Sequence, residues 1–150
     1  MQTNPYPRFF LMLAVSFVIM HGVMYLNTYA LDHVYFSLTR FYMTILMITP
    51  MALIMLLFMQ HMYKDKRRNG LIITGSISVF IAALLMVRAQ TFVADTTWMK
   101  AMIPHHSIAI LTSERATIQD PEVRQLADDI IETQKREIGE MKRLIGKLEK

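Results

Sequence analysis

Three apolar runs, over residues 9–26, 41–62 and 71–87, are nearly free of charge and show no polar stripe at helical spacing. Beyond residue 95 the pattern changes, and apolar and charged positions alternate with a helical period. A bilayer core of ~30 Å needs about 20 apolar residues to cross it as a helix, and a soluble helix that long would carry a polar face. The three runs are therefore read as transmembrane helices, with residues 1–91 as a transmembrane domain. For the first run a cleaved signal peptide is the alternative, because Arg8 precedes it and Thr28-Tyr29-Ala30 would serve as a cleavage site.

Residues 92–150 read as a helical hairpin. Asp95 suits a helix N-cap and Trp98 suits the headgroup region, so a helix is expected over about 96–117. Asp120-Pro121-Glu122 is a restart signal: a cap, a proline at the first helical position and an acid in the first turn. The last helix is then expected over about 121–148. Ala127, Ile130, Gln134, Glu137, Met141, Leu144 and Leu148 form its apolar seam, widened by Ile131, Ile138 and Ile145. In the preceding helix the matching seam is Met99, Met102, His106, Ala109, Ser113 and Ala116, flanked by Ile103 and Ile110, with Ile108 and Leu111 off the face. Two helices cannot bury stripes that wide against each other alone, so a homodimer completing a four-helix bundle is expected.

Charge sets the orientation. Residues 1–94 hold seven Lys or Arg against two acids, whereas residues 95–150 hold nine against ten. Most of the excess lies in Lys64-Asp65-Lys66-Arg67-Arg68, between the second and third runs, and short basic loops stay in the cytoplasm. The N-terminus and the 64–68 loop are then cytoplasmic, while the 27–39 linker and the hairpin lie outside. Arg40 and Arg88 run against this orientation and are expected to snorkel from helix ends. The basic residues are a topology signal, and nucleic-acid binding gains no support from them.

The candidate chemistry sits in the hairpin. The chain has no cysteine, so any metal must be held by His, Met, carboxylate or amide groups. Met99, Met102, His105 and His106 lie at helical spacing, and the polar interruption Gln134 and Glu137, followed by Met141, lies in the facing seam. With the turn centred near residue 119 or 120, facing residues sum to about 240. That pairs His106 with Gln134, Met102 with Glu137 and Met99 with Met141. His105 is rotated ~100° from His106, so the two rings cannot point the same way, and it reaches the edge of such a site or a second subunit. Pro104 removes a helical hydrogen bond and is expected to kink the helix just before the histidines. Thioether with imidazole suits Cu(I) and its mimic Ag(I), and imidazole with carboxylate suits Zn(II) or Cu(II). A di-iron bundle would require Glu-x-x-His, which is missing. The competing reading is a plain packed hairpin, with methionine filling core gaps and the polar residues bonding to each other.

Asp95-(x)2-Trp98-Met99-(x)2-Met102-Ile103-Pro104-His105-His106-(x)2-Ala109, followed by Gln134-(x)2-Glu137-Ile138-(x)2-Met141, resembles the family numbered 305 among domains of unknown function. The resemblance covers roughly residues 92–148. It implies a ferritin-like helical bundle, exported or membrane-anchored in bacteria, with copper binding or copper tolerance in some members. Members often carry methionine just after the first motif, where this chain has Thr112 and Ser113, which argues against a Met-rich, high-capacity site.

In the membrane part, Met43, Met47, Met51, Met55 and Met59 recur every fourth residue. The series sweeps ~160° around the helix and forms no straight seam, so a conducting role is disfavoured. His21 lies near the outer end of the first run, Asp32 and His33 lie in the outer linker, and His61 lies beside the basic loop. With no activated nucleophile, no phosphate-binding glycine loop and no Glu-x-x-His pair, an enzyme is not expected. The expectation is an all-α protein of the bacterial inner membrane: three transmembrane helices, then an antiparallel hairpin on the periplasmic or extracellular side. Its expected role is binding copper, or alternatively zinc or silver, for tolerance or for delivery to a metal-handling membrane partner. The expected ligands are Met102, His106 and Met141, with Met99, His105 and Glu137 secondary and Gln134 orienting them. The alternatives are a structural or interaction module and a metal transporter.

Overall fold

The structure, a computed structural model, describes residues 4–150. Among these the fold is all-α. Five long helices follow one another: α1 (Tyr6–Val23), α2 (Leu38–Phe58), α3 (Lys66–Ala89), α4 (Asp95–Arg115) and α5 (Pro121–Leu148), with a 3-10 turn at Leu31–His33. The first three are long and apolar enough to cross a membrane.

Their ends differ from the apolar runs for local reasons. Lys66, Arg67 and Arg68 form the first turn of α3, because the Asp65 carboxylate caps the helix by accepting from the Arg67 and Arg68 N–H groups. Hydropathy cannot see a polar first turn of this kind. After α3 the chain breaks sharply: Gln90 and Phe92 both adopt left-handed backbone, at φ 48° and φ 61°. A continuous run from α3 into α4 is thereby interrupted. Ala94, not Asp95, is the residue before α4, and its N–H donates to Thr97 Oγ1 at 2.8 Å. Asp95 instead supplies the acid of the first turn, where the helix dipole favours it. Pro104 lies buried inside α4, which continues through it to Arg115.

The start of α5 follows the expected motif: Asp120 Oδ1 accepts from the Glu122 and Val123 N–H groups at 2.9 and 3.0 Å, with Pro121 as the first helical residue. Asp120→Ala should cost about 1 kcal/mol of hairpin stability, the ordinary value of an N-cap, read as a lowered melting temperature of Trp98 fluorescence. A melt indistinguishable from wild type would show that Pro121 alone sets the helix start.

Contacts divide the chain into two compact units. The first holds residues up to Val23 together with Thr39–Thr91. At one end of it Tyr6 and Phe9 pack with Ala52, Leu56 and Tyr63, and the Tyr6 hydroxyl donates to Asn69 Oδ1 at 2.8 Å. At the other end His21 Nδ1 lies 3.1 Å from Thr44 Oγ1, whose hydroxyl donates to the Arg40 carbonyl. Arg40 is itself buried rather than snorkelling outward. The α2 methionines are spread around the helix as the 40° offset per step requires. Met43 and Met47 are exposed, whereas Met55 and Met59 pack against the Tyr6–Tyr63 cluster.

The second unit holds Met24–Leu38 with Phe92–Lys150. Its centre is the α4–α5 hairpin, with Met99, Ile103, Ile110, Ile138, Met141 and Ile145 as the core. Both buried faces are rotated relative to the expected seams. Ile103 and Ile110, expected as flanks, are fully buried, and Ile138 and Ile145 are central, whereas Leu148 is exposed. The 24–38 segment explains the rotation: Tyr35 packs on the same core and the 3-10 turn contacts α4, so α4 is covered from a second side.

Candidate metal centre

His106 is the best-defined polar group of the hairpin. Its Nδ1 lies 2.9 Å from the Met102 carbonyl oxygen one turn earlier in α4, and its Nε2 lies 2.8 Å from Glu137 Oε2 in α5. A carbonyl can only accept, so the Nδ1–H donates to it, which turns Nε2 toward α5. Fixing one ring nitrogen on a backbone carbonyl is how ligating histidines are commonly oriented; here the other nitrogen is itself hydrogen-bonded to Glu137, so a metal ion would have to displace the proton between them. The His106 side chain is only 12 % exposed, whereas that of Glu137 is 42 % exposed, so solvent or an ion can reach the pair from the Glu137 side.

The pairing departs from the expected register. His106 meets Glu137, not Gln134, nearly one helical turn further along α5. Counting from the turn assumed that both helices leave it at equal height. Instead Ala116 is already extended (φ −68°, ψ 137°), so the connection climbs past the end of α4 before α5 begins. Extended backbone advances about twice as far per residue as helix. The first turns of α5 therefore overhang α4, and Val123 and Leu126 are exposed.

The other candidate residues fall into two groups. Met99 and Met141 are buried in the isoleucine core, and Met102 packs against it half-buried. Gln134 is half-buried one turn before Ile138, and His105 is exposed, its ring 6.0 Å from that of His106. The structure thus joins His106 with Glu137 directly. Met102 sits one turn before His106 on α4, and Met141 sits one turn after Glu137 on α5. Among the described residues no three His, Asp or Glu side chains form a metal-holding group. The His106–Glu137 pair thus brings together one imidazole and one carboxylate, with the exposed His105 ring 6.0 Å from that of His106.

A second polar cluster escaped the reading of the sequence. Ser107, fully buried on α4, accepts from the Tyr29 N–H at 2.7 Å, and its Oγ lies 2.9 Å from His33 Nδ1. Asp32 pairs with Lys142 on α5, and the Tyr29 hydroxyl donates to Glu114 at 3.3 Å. These contacts bind the 24–38 segment to both helices of the hairpin. No spacing rule links residue 33 to residue 107; the only signal was two polar residues, Asp32 and His33, in a linker otherwise rich in apolar and aromatic side chains.

Burial pushes the His33 imidazole below its ordinary pKa, reinforced by Lys142 and opposed by Asp32. The Lys142 hydrogen bond holds the Asp32 carboxyl below the usual carboxylate range. A histidine with a lowered folded pKa binds fewer protons folded than unfolded. Its stabilisation is complete above the ordinary value of about 6.5 and is lost as pH falls below it. The Asp32 contribution persists to much lower pH, because both of its pKa values are acidic. The second unit should therefore melt at lower temperature at pH 5.5 than at pH 7.5. His33→Asn should flatten that dependence in a Trp98 fluorescence melt; an unchanged slope would show that His33 is not its source.

Three helices long and apolar enough to cross a membrane, followed by a packed helical hairpin, define the class of this chain. The family model described as "Domain of unknown function (DUF305)" matches residues 81–149. An uncharacterized protein of Acanthamoeba polyphaga mimivirus is 36 % identical over 139 residues, covering 90 % of this chain and 89 % of its own length. The chain belongs to the DUF305 family. The similarity to the viral protein extends over the apolar helices as well as the hairpin. No solved structure matches the chain.

Proposed function

We propose that this protein is a membrane-anchored binder of a soft metal ion, Cu(I) first with Ag(I) as its mimic, serving metal tolerance or delivery. The observation that carries the proposal is the His106 ring: one nitrogen is fixed by the Met102 carbonyl and the other is aimed at Glu137. A cation there would take the place of the hydrogen bond between Nε2 and the carboxylate. His106, Met102, Met141 and Glu137 would hold it, with Met99 and His105 in secondary roles and Gln134 orienting the carboxylate. Bound copper would be cargo, passed to a partner or kept from reacting elsewhere; zinc is the alternative if Glu137 dominates the donor set.

In this proposal the hairpin faces the outer side of a bacterial inner membrane, with the 64–68 loop in the cytoplasm. The 24–38 segment, between α1 and α2, belongs to the same compact unit as the hairpin after α3, and alternating spans deliver these two segments to one side. Exposed Val123 and Leu126 support a homodimer in which a second hairpin covers them.

The test is competition for Cu(I) against a chromogenic chelator, with the full-length protein in detergent. Replacing His105 and His106 with Ala should abolish competition, and unchanged affinity would sink the proposal. A second reading draws on the direct His106–Glu137 bond and the burial of Met99 and Met141: a structural or interaction module whose polar seam sets register. Protein purified without added metal separates the two, since only the first reading predicts copper retained in proportion to intact His106.

A further inference from the structure

An open groove of about 680 Å³ lies within the first unit, among α1, α2 and α3. Its walls include Phe10, Leu13, Phe17, Ile48, Leu71 and Gly75. The volume falls within the ~300–1,000 Å³ range of ligand sites, yet almost nothing polar lines it. Along α1 the lining runs from Phe9 to Val18, and along α3 from Leu71 to Val79. At 1.5 Å per residue these stretches are about 12–14 Å long, close to half of the ~30 Å bilayer core. The groove is therefore the depth of one leaflet, on the side where α1 and α3 begin.

That end of the unit is cationic. Arg67 and Arg68 lie three to five residues before Leu71 and Ile72, which places them one helical turn beyond the groove's end on the same side of α3. Arg68 is held in place by Asp65 at 3.0 Å and by the Tyr6 ring, 5.2 Å from its guanidinium carbon. Lys64, Lys66 and Arg67 are exposed beside it, and Asp65 is the sole acid in the stretch. Cations in the first turn of a helix oppose its dipole, so their concentration here adds nothing to helix stability. It matches an anionic group held at the interface.

We propose that this groove binds one anionic phospholipid, with an acyl chain along Phe10, Leu13 and Gly75 and the phosphate at Arg67 and Arg68. The site rests on the membrane-spanning reading of α1–α3 and is independent of metal binding. Carbonate extraction of membranes tests the spanning reading separately, so failure of the groove proposal is distinguishable from failure of that reading. The groove itself is tested by native mass spectrometry of the full chain, exchanged from detergent into equal mixtures of phosphatidylglycerol and phosphatidylcholine. Phosphatidylglycerol should be retained about tenfold over phosphatidylcholine. Arg67→Gln with Arg68→Gln should erase that preference. Gly75→Leu, where an added Cβ meets nothing within 4 Å, should remove retention by filling the groove. Helical content of each variant by circular dichroism should match wild type. Equal retention of both lipids, or retention undiminished in Gly75→Leu, overturns the proposal. So does a Gly75→Leu variant that turns a dimer into a monomer, since the groove would then hold a helix of a second copy.

Discussion

His106→Ala should weaken Cu(I) affinity by about a hundredfold or more, or ~2.7 kcal/mol, while leaving the fold intact. Loss of a group that merely orients a ligand lowers metal affinity about 10–100-fold, and His106 is proposed as a ligand itself. Its contribution to stability should be small by comparison. The Glu137 side chain is 42 % exposed, and ion pairs open to solvent contribute about 0–1 kcal/mol. Truncating the histidine therefore leaves behind a carboxylate that water can solvate. Glu137→Gln should have a milder effect on Cu(I), since the thioethers remain, but should strongly reduce any Zn(II) binding. Parallel loss of stability and affinity in His106→Ala would instead assign the histidine to the core, as the structural reading holds.

The second large effect is on stability. Ile110→Ala should destabilise the hairpin by about 2–5 kcal/mol, because Ile110 is fully buried and its deletion leaves a cavity between two helices held apart by their neighbours. In a unit of this size 1 kcal/mol shifts the melting temperature by roughly 4–8 °C, so a loss of roughly 10–40 °C is expected. Trp98, the only tryptophan of the chain, lies on α4 and reports this unit without signal from the membrane helices. Val123→Ala on the overhanging turn should change the monomer by no more than about 0.5 kcal/mol. Equal shifts for the two variants would show that the core is not where the structure places it. A large shift for Val123→Ala alone would mark a dimer interface.

Much of this architecture was legible in the sequence, because apolar length and capping chemistry are local properties. Residues 41–62 and 71–87 could hardly be anything but membrane-length helices, and Asp120-Pro121 fixed the start of α5 to the residue. Boundaries slipped where polar residues join an apolar helix, as with Lys66 to Arg68 in α3. The hairpin register slipped by nearly a turn because the sequence does not show that Ala116 is extended. The buried faces were rotated because a third element, the 24–38 segment, covers α4, and no periodicity within α4 reveals that Ser107 will meet His33. Of the candidate site, His106 and Glu137 were identifiable as polar interruptions of apolar seams. Their direct contact depended on the register and had to come from the structure.

Crystals of the full-length protein loaded with Cu(I), with anomalous scattering collected at the copper edge, test the central claim most directly. An anomalous peak beside His106 Nε2, facing Glu137 and flanked by the Met102 or Met141 sulfur, is the predicted result. Its absence there, with His106 still bonded to Glu137 in copper-saturated crystals, would contradict the metal-binding account.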